Sequence, residues 1–176
     1  MIALQNEGGG ISMDRAEAED LLFEEARMLD AGEFEGWLAL FADPCLYWLP
    51  TVDGDPDIEP SLVYDDLARL QERVFRITST RAHAQDPLSR TLHNVSNVMV
   101  QNRGVEGARV TCNLLVVELR PGDAAQIGLG QQRLLAGQVE YLFIPDSSGG
   151  ARWRIALKKV KLINRDLPLY NITFII

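Results

Sequence analysis

Residues 21–50 read LLFEEARMLDAGEFEGWLALFADPCLYWLP, a stretch that joins helical patterns to the start of a strand. Apolar residues recur at helical spacing in two blocks that Gly32 separates, and the second block runs into the strand-like LYWLP. Glycine readily adopts the left-handed conformation that ends many helices. Because the residue before a proline is disfavoured in a helix, Asp43-Pro44 predicts the end of the second helix and a short strand at residues 46–49.

Three amphipathic helices are predicted in the N-terminal half of the chain. Asp14 and Glu17 form a capping pair for the first, and we expect Glu24 and Glu25 on its solvent side. The third begins at Ser61, after a loop rich in proline and acidic residues. Their apolar stripes are Ala18, Leu22, Ala26 and Leu29 in the first, Phe34, Trp37, Leu38 and Phe41 in the second, and Val63, Leu67, Leu70, Val74 and Ile77 in the third.

From Thr91 onward the pattern changes to strands, with runs rich in valine, isoleucine and aromatic residues. The connections are too short for crossover helices, so these strands are predicted to be antiparallel neighbours. Helices followed by such a meander indicate an α+β fold, a cone in which N-terminal helices pack on a curved, mainly antiparallel sheet. The last run, YNITFII at residues 170–176, is predicted to be an inner strand or to lie at an interface, because an exposed apolar end would favour aggregation.

Length and composition predict one domain. A chain of 176 residues with 47% hydrophobic content can form a full core, and we expect a single domain over residues 13–176. Residues 1–12 contain three consecutive glycines and are expected to form a flexible arm. The chain has no long apolar N-terminal run, and Cys45 and Cys112 lie far apart in apolar contexts. These features predict a soluble cytoplasmic protein with buried free thiols.

The net charge of −8 is unevenly distributed along the chain. Residues 1–60 carry a net charge of −13, whereas residues 61–176 carry +5. Nucleic acid is disfavoured as a partner, because phosphate binding needs a clustered basic face on the protein. Two interpretations of the acidic half stay open: the acids lie on solvated surfaces, or one acidic face docks on a basic face of a partner subunit.

Metal-binding residue types are present, but their spacing is unfavourable. Acids alternate in the loop at residues 50–60, yet the glycine and the bidentate acid of an EF-hand are not at their required positions. His83, Asp86 and His93 could form the two-histidine, one-carboxylate set of a non-haem iron site. A surface His83, together with a His93 bonded to neighbouring backbone or to a partner chain, is favoured instead. Neither cysteine has a histidine nearby, which argues against a Rieske cluster on this chain.

Four segments of the chain resemble the β (small) subunit of aromatic-ring-hydroxylating dioxygenases. They are EEARMLDAGEFEGWLALFADPCLYWLP, VYDDLARLQERVFRI, DPLSRTLHNVSNV and WRIALKKVKLIN, at residues 24–50, 63–77, 86–98 and 153–164. The resemblance implies the cystatin-like cone of nuclear transport factor 2 and a hetero-oligomer, commonly of three α and three β subunits. It also implies that the α subunit carries a Rieske [2Fe–2S] cluster, a mononuclear Fe(II) and the substrate pocket.

The resemblance further implies a structural role for this chain, with no catalytic, cofactor-binding or metal-binding residue of its own. The α subunits would cis-dihydroxylate an aromatic ring with O2 and electrons derived from NAD(P)H, in the catabolism of aromatic compounds. The alternative is a stand-alone cone enzyme of the ketosteroid isomerase or dehydratase type, or a small-ligand binding module. Its acid, base or donor groups would come from Tyr47, Asp65, Asp66, His93 and Tyr141. Against it, Asp65 and Asp66 are interpreted as exposed helix charges, and the two tyrosines as ordinary strand aromatics.

Overall fold

Three α-helices, a short 3-10 helix (Gly104–Glu106) and six strands form the structure. It is a computed structural model that describes residues 11–55, 58–80, 85, 87–122, 129–147, 149, 152–169 and 171–176. The helices are α1 (Arg15–Ala31), α2 (Phe34–Leu38) and α3 (Leu67–Ser79). The strands are β1 (Phe41–Pro50), β2 (Ser61–Asp65), β3 (Arg90–Asn102), β4 (Ala108–Leu119), β5 (Gln132–Pro145) and β6 (Trp153–Leu162).

The strands form one curved sheet in the order β2-β1-β6-β5-β4-β3. Strands β3 to β6 are antiparallel neighbours and β2 is antiparallel to β1, whereas β1 and β6 are parallel. Helix α1 packs on β3 and helix α3 packs on β1, so the helices close one face of the sheet. The predicted α+β cone with a mainly antiparallel sheet is therefore confirmed.

Helix α1 follows its sequence pattern, with one exception. The Oδ1 atom of Asp14 accepts a hydrogen bond from the backbone N–H of Glu17 at 2.8 Å, and Gly32 ends the helix with a φ of 72°. The predicted apolar residues Ala18, Leu22 and Leu29 are buried. Glu25 is buried too, at 3% exposure, so its predicted place on the solvent side is wrong.

The second helix is shorter than predicted. Helix α2 ends at Leu38, and Phe41 already belongs to β1, which runs through Asp43-Pro44. The helix ends early because the backbone after Leu38 hydrogen-bonds to strand β6 instead of continuing the helix. The N–H of Ile155 in β6 donates to the carbonyl of Leu40 at 2.8 Å. A strand partner more than a hundred residues away is not visible in the local helical spacing.

The segment Ser61–Asp65 was predicted as the start of a helix and is instead strand β2. It pairs with β1, and the indole Nε1 of Trp48 donates to the Oγ atom of Ser61 at 2.8 Å. Helix α3 begins after Asp66, whose Oδ1 atom accepts from the backbone N–H of Arg69 at 2.9 Å. The predicted cap at Ser61 is therefore wrong by five residues.

The predicted C-terminal strand is also wrong, although burial of this end is correct. Asn171–Ile176 forms no strand, yet Phe174, Ile175 and Ile176 are buried within the hydrophobic core. At the other end of the described chain, Met13 is 2% exposed, and its backbone N–H donates to Asn102 on β3 at 2.8 Å.

Candidate functional site

A buried polar cluster lies between α1 and the sheet. Glu25 is at its centre, and its Oε1 atom accepts from the Nζ atom of Lys158 at 2.8 Å and from the indole Nε1 of Trp37 at 2.9 Å. Its Oε2 atom accepts from the hydroxyl of Tyr141 at 2.7 Å. The Nζ atom of Lys158 also lies 5.7–5.9 Å from the ring centres of Trp37, Tyr47 and Tyr141. We call Glu25, Trp37, Tyr141 and Lys158 the interior cluster.

The electrostatics of the interior cluster favour an ionised glutamate. Burial by itself raises the pKa of Glu25, but the charge and hydrogen bond of Lys158 and the two further donors outweigh it, so the pKa lies below its usual value. Burial and the neighbouring Glu25 charge raise the pKa of Tyr141 well above 10, which keeps its hydroxyl protonated. The glutamate is therefore a charged acceptor that three donors satisfy.

These groups are of the types used in acid–base catalysis, but their arrangement is structural. Lys158 is 1% exposed and Glu25 is 3% exposed, and every donor of the cluster is directed at the same carboxylate. A general base needs free access to the proton it removes. What the cluster does is attach α1, through one carboxylate, to β5 and β6 of the sheet.

His93 belongs to a second polar contact between α1 and the sheet. Its Nδ1 atom lies 2.6 Å from Oδ1 of Asp30, and its backbone N–H donates to the other oxygen of the same carboxylate at 2.9 Å. The hydroxyl of Thr91 also donates to Asp30 at 2.9 Å. His83 and Asp86, the other residues considered for iron binding, lie outside the described residues. The favoured partners of His93, neighbouring backbone or a partner chain, are therefore wrong for its Nδ1 atom, which contacts a carboxylate of the same chain.

The two acids considered for a stand-alone enzyme are each engaged separately. Asp65 is 8% exposed and accepts from Arg73 at 2.7 Å, so its interpretation as an exposed helix charge is wrong. Asp66 is exposed, but it caps α3 through the bond described above. Tyr47 bonds to the backbone of Ile176 rather than to either acid. Of the five residues considered, Asp65, Tyr47 and Tyr141 lie in one row across the sheet, with Lys158 between the two tyrosines.

Metal-ligand chemistry is unfavourable at the two cysteines. Both are free and buried, and burial raises the pKa of Cys45 to about 11 and that of Cys112 to about 12. A Rieske cluster needs thiolates together with two histidines, and the described part of the chain brings neither thiol to His93. Within the same part, no group of three or more His, Cys, Asp or Glu side chains is placed to hold a metal ion.

The face of the sheet opposite the helices carries a different kind of surface, which we call the outer face. Its side chains form cross-strand rows, and the first row is Leu92, Val117 and Leu134. Leu92 is 56% exposed and Leu134 is 65% exposed, and Met99 in another row is 68% exposed. This much apolar side chain on one open face is typical of an interaction surface.

Charged residues surround the apolar rows of the outer face. Arg109 and Glu140 form an ion pair at 2.8 Å, and the Nζ atom of Lys159 lies 3.8 Å above the ring of Trp48. A cavity of about 380 Å³ runs between these groups, with Met99 at its side. Polar groups around exposed apolar positions are the usual composition of a protein–protein interface.

Comparison with known proteins gives the family. The family model described as "Ring hydroxylating beta subunit" matches residues 24–168, which is most of the chain. The chain belongs to this family. It is 38% identical over 125 residues to the small oxygenase component of the p-cumate 2,3-dioxygenase system of Pseudomonas putida, covering 68% of this chain and 69% of that protein. It is also 38% identical over 97 residues to the β subunit of benzoate 1,2-dioxygenase of Acinetobacter baylyi, covering 51% of this chain and 56% of that subunit.

Solved structures agree with the family. The β subunit of a benzoate 1,2-dioxygenase from Burkholderia mallei is 27% identical and superposes with a TM-score of 0.70, covering 94% of this chain and 99% of that one. A putative scytalone dehydratase from Novosphingobium aromaticivorans superposes with a TM-score of 0.59 at 15% identity, over 82% of this chain and 80% of that one. The second likeness shows the shared cone fold alone. The predicted family and fold are both confirmed.

Sequence reasoning missed the two central residues of this β subunit's interior, Glu25 and Lys158. A signal for each is present. Glu25 lies three residues after Leu22 and four before Leu29, in the middle of the buried stripe of α1. Lys158 is two residues before the buried Val160, so strand alternation directs it inward. Each was passed over because a single charged side chain is seldom buried without a partner, and the partner is far away in sequence.

Proposed function

We propose that this chain is the structural β subunit of a terminal oxygenase, assembling with α subunits that cis-dihydroxylate an aromatic ring. The α subunits would use O2 and electrons from NAD(P)H, through a Rieske [2Fe–2S] cluster and a mononuclear Fe(II). The main support for this proposal is the family match over residues 24–168. The names of the relatives support it, since each is called a small component or β subunit of a dioxygenase system.

We also propose that this chain carries no catalytic, cofactor-binding or metal-binding residue. Three observations among the described residues support this. The interior cluster is enclosed and its carboxylate is satisfied by three donors. The thiols have raised pKa values, which disfavours their use as ligands. The groups considered for an isomerase or dehydratase are each bonded to other groups of the fold, which disfavours a stand-alone enzyme.

Self-association as a trimer, with three α subunits attached, is the proposed quaternary structure. The outer face supports it, because apolar rows on an uncovered sheet are stabilised when a second copy excludes water from them. The charge distribution supports it further: Arg109, Lys159 and Lys161 line the cavity of the outer face and are half-buried, whereas the N-terminal third of the chain is acidic. Such complementary charges orient subunits during assembly.

The remaining parts of the proposal concern domain organisation and location. Residues 13–176 would form one domain, which is supported by the burial of both Met13 and Ile176 in one core. The arm expected at residues 1–12 lies almost wholly outside the described residues, which begin at residue 11. None of the helices in the described ranges is both long and apolar enough to span a membrane. A cytoplasmic location is supported by the two cysteines, which are free rather than joined in a disulfide.

The assembly is tested by mass measurement on the full chain, alone and co-expressed with the Rieske α subunit of a ring-hydroxylating dioxygenase. We expect a trimer alone and a complex of three copies of each chain together. Leu134→Glu places charges in the apolar row of the outer face and should abolish the trimer. Phe75→Glu is the matched control, because Phe75 is 60% exposed on α3, on the helix side of the sheet. A monomeric chain, or a Leu134→Glu variant of unchanged mass, would contradict the proposed surface.

A further inference from the structure

The residues Asn171–Ile176, which we call the terminal segment, fill the inside of the cone. Phe174, Ile175 and Ile176 are 6%, 3% and 1% exposed and belong to the main hydrophobic core. Nevertheless the segment forms neither helix nor strand. Asn171, where the segment begins, has a φ of 39°, a left-handed conformation that turns the chain inward. The core of the cone is thus completed by a stretch of irregular backbone.

Side chains of the surrounding elements hold this backbone. The hydroxyl of Tyr47 on β1 donates to the carbonyl of Ile176 at 3.0 Å and accepts from the N–H of the same residue at 3.2 Å. On β5, Arg133 donates to the carbonyl of Asn171 at 2.5 Å, and its guanidinium lies 5.3 Å from the ring centre of Phe174. The amide of Gln85 donates to the hydroxyl of Thr173 at 2.8 Å.

These attachments can open without breaking the sheet. The ladder from β2 to β3 runs through β1, β6, β5 and β4, and none of its pairs includes the terminal segment. Release gives up the burial of three apolar side chains but breaks no strand pair, so it is a sub-global opening whose free energy lies below that of global unfolding. Release of the terminal segment would therefore leave the cone folded, with an empty interior.

A cavity already reaches the segment from outside. It has a volume of about 240 Å³, and Phe174 and Ile175 form part of its wall together with Leu29, Phe34 and Leu88. Displacement of the segment would join this cavity to the space now filled by three large apolar side chains. An apolar cavity of about 150 Å³ in a protein core stays dry and binds benzene, so the joined space is large enough for a ring.

The charges around this space are paired, which selects against a charged ligand. Glu118, 3% exposed, accepts from Arg133 at 2.6 Å and from the hydroxyl of Ser89 at 2.6 Å. Lys158 and Glu25 neutralise each other in the same way. Release of the segment would remove an acceptor from Tyr47, Arg133 and Gln85. Tyr47 is 1% exposed, and burial keeps its hydroxyl protonated by raising its pKa.

We propose that the terminal segment is an internal plug, and that its release opens a pocket for a small neutral aromatic molecule anchored by the hydroxyl of Tyr47. This site lies within the β subunit itself and is independent of the substrate pocket proposed for the α subunit. It does not depend on the proposed assembly. The plug and the ligand compete for one space, so each ligand that enters the cone displaces the segment.

Hydrogen exchange on the unmodified full chain tests this competition. The probe is acetophenone, a neutral ring with one carbonyl acceptor, and benzoate is the matched charged control. We expect the amides of Thr173–Ile176 to exchange faster than those of β4 and β5. Their rates should rise linearly with acetophenone, to about tenfold at ten times its dissociation constant for the open state. Benzoate should leave them unchanged. Exchange only with global unfolding, unaffected by acetophenone, would overturn the proposal.

Two variants test the packing of the terminal segment and the hydroxyl of Tyr47 separately. Ile176→Ala keeps the chain length but weakens the plug, and it should bind acetophenone at lower concentration than the unmodified chain. Tyr47→Phe removes the hydroxyl that holds the segment, so the amides of the segment should exchange faster in the absence of a probe. Acetophenone, which has a carbonyl acceptor, should bind the unmodified chain more tightly than toluene does, and this difference should disappear in Tyr47→Phe. Leu167→Ala, at a 60% exposed position just before the segment, is the control and should behave as the unmodified chain. A folded Ile176→Ala variant that binds no acetophenone would also overturn the proposal.

Discussion

Replacing Lys158 by methionine tests the interior cluster. Methionine is close to lysine in length and shape, so the change removes the charge and leaves the packing largely intact. Glu25 then keeps its bonds from Trp37 and Tyr141 but loses the only cation within hydrogen-bonding distance among the described residues. The carboxylate remains buried at 3% exposure, and it becomes an uncompensated charge.

The expected loss is large for a single substitution. Removing one partner of a buried ion pair costs about 3–5 kcal/mol, because the other charge stays in a medium of low polarity. A domain of this size loses about 2–4 °C in Tm for each kcal/mol, so Tm should fall by roughly 6–20 °C. Lys161→Met on the same strand is the control. Its ion-pair partner Asp53 is 63% exposed, and the control should lose no more than about 1 kcal/mol.

The loss should also depend on pH, in a direction that follows from Glu25. In the unmodified chain the pKa of Glu25 is lower in the folded state than in the unfolded state, where it is about 4.3. Ionised Glu25 therefore stabilises the fold above about pH 4.3, and this stabilisation is lost as the pH falls through the folded-state pKa. Without Lys158, burial raises the folded pKa above the unfolded one. The variant then loses up to about 1.4 kcal/mol per pH unit as pH rises toward that raised pKa.

Urea unfolding followed by tryptophan fluorescence measures both effects, at pH 4.5 and at pH 7.5, with the protein concentration held constant. The difference between the unmodified chain and Lys158→Met should be larger at pH 7.5. Adding Glu25→Gln to the variant removes the uncompensated charge and should restore more than half of the loss at that pH. A loss below about 1 kcal/mol, or an equal loss at both pH values, would refute the role assigned to the cluster.

Three further predictions concern local features of the fold. Asp66→Ala removes the cap of α3 and should cost about 1 kcal/mol in urea unfolding; an unchanged midpoint would show that the cap is unimportant. Gly107→Ala should cost roughly 2–4 kcal/mol, because Gly107 has a φ of 102° and a Cβ atom there would lie 2.0 Å from the carbonyl oxygen of Phe143. Gly104→Ala is its control, since no atom lies within 4 Å of that Cβ, and equal losses would contradict the clash. Burial raises the pKa of the two thiols to about 11 and about 12, so a thiol reagent at pH 8 should react with neither until urea unfolds the chain; rapid reaction of either would contradict their burial.

The sequence was sufficient for the family and the fold class, because both depend on patterns that are local. The stripe of α1, its cap at Asp14 and the strand alternation after Thr91 are each visible within about twenty residues. The β subunit family was recognisable from segments of similar length. The predicted helix from Ser61 failed because Val63 lies four residues before Leu67 and continues a helical spacing by coincidence, whereas β1 pairs with the segment as a strand.

The interior of the cone was harder to predict, because its contacts join distant parts of the chain. Glu25 and Lys158 are 133 residues apart, and neither looks buried without the other. Ile176 was expected in a strand on account of its apolar neighbours, but its backbone bonds to the hydroxyl of Tyr47, 129 residues away. Burial of the C-terminal run followed from hydrophobicity alone, whereas its irregular backbone depends on side-chain donors that a periodic pattern does not reveal.

The most direct test of the central claim is the iron content of each chain. The β subunit is purified alone and in complex with the large subunit, and iron per chain is measured by elemental analysis. If the β subunit is structural, it contains no stoichiometric iron by itself, and the complex contains iron in proportion to the large subunit only. Stoichiometric iron in the β subunit alone would contradict this role, because it would assign a cofactor to the chain that we propose is structural.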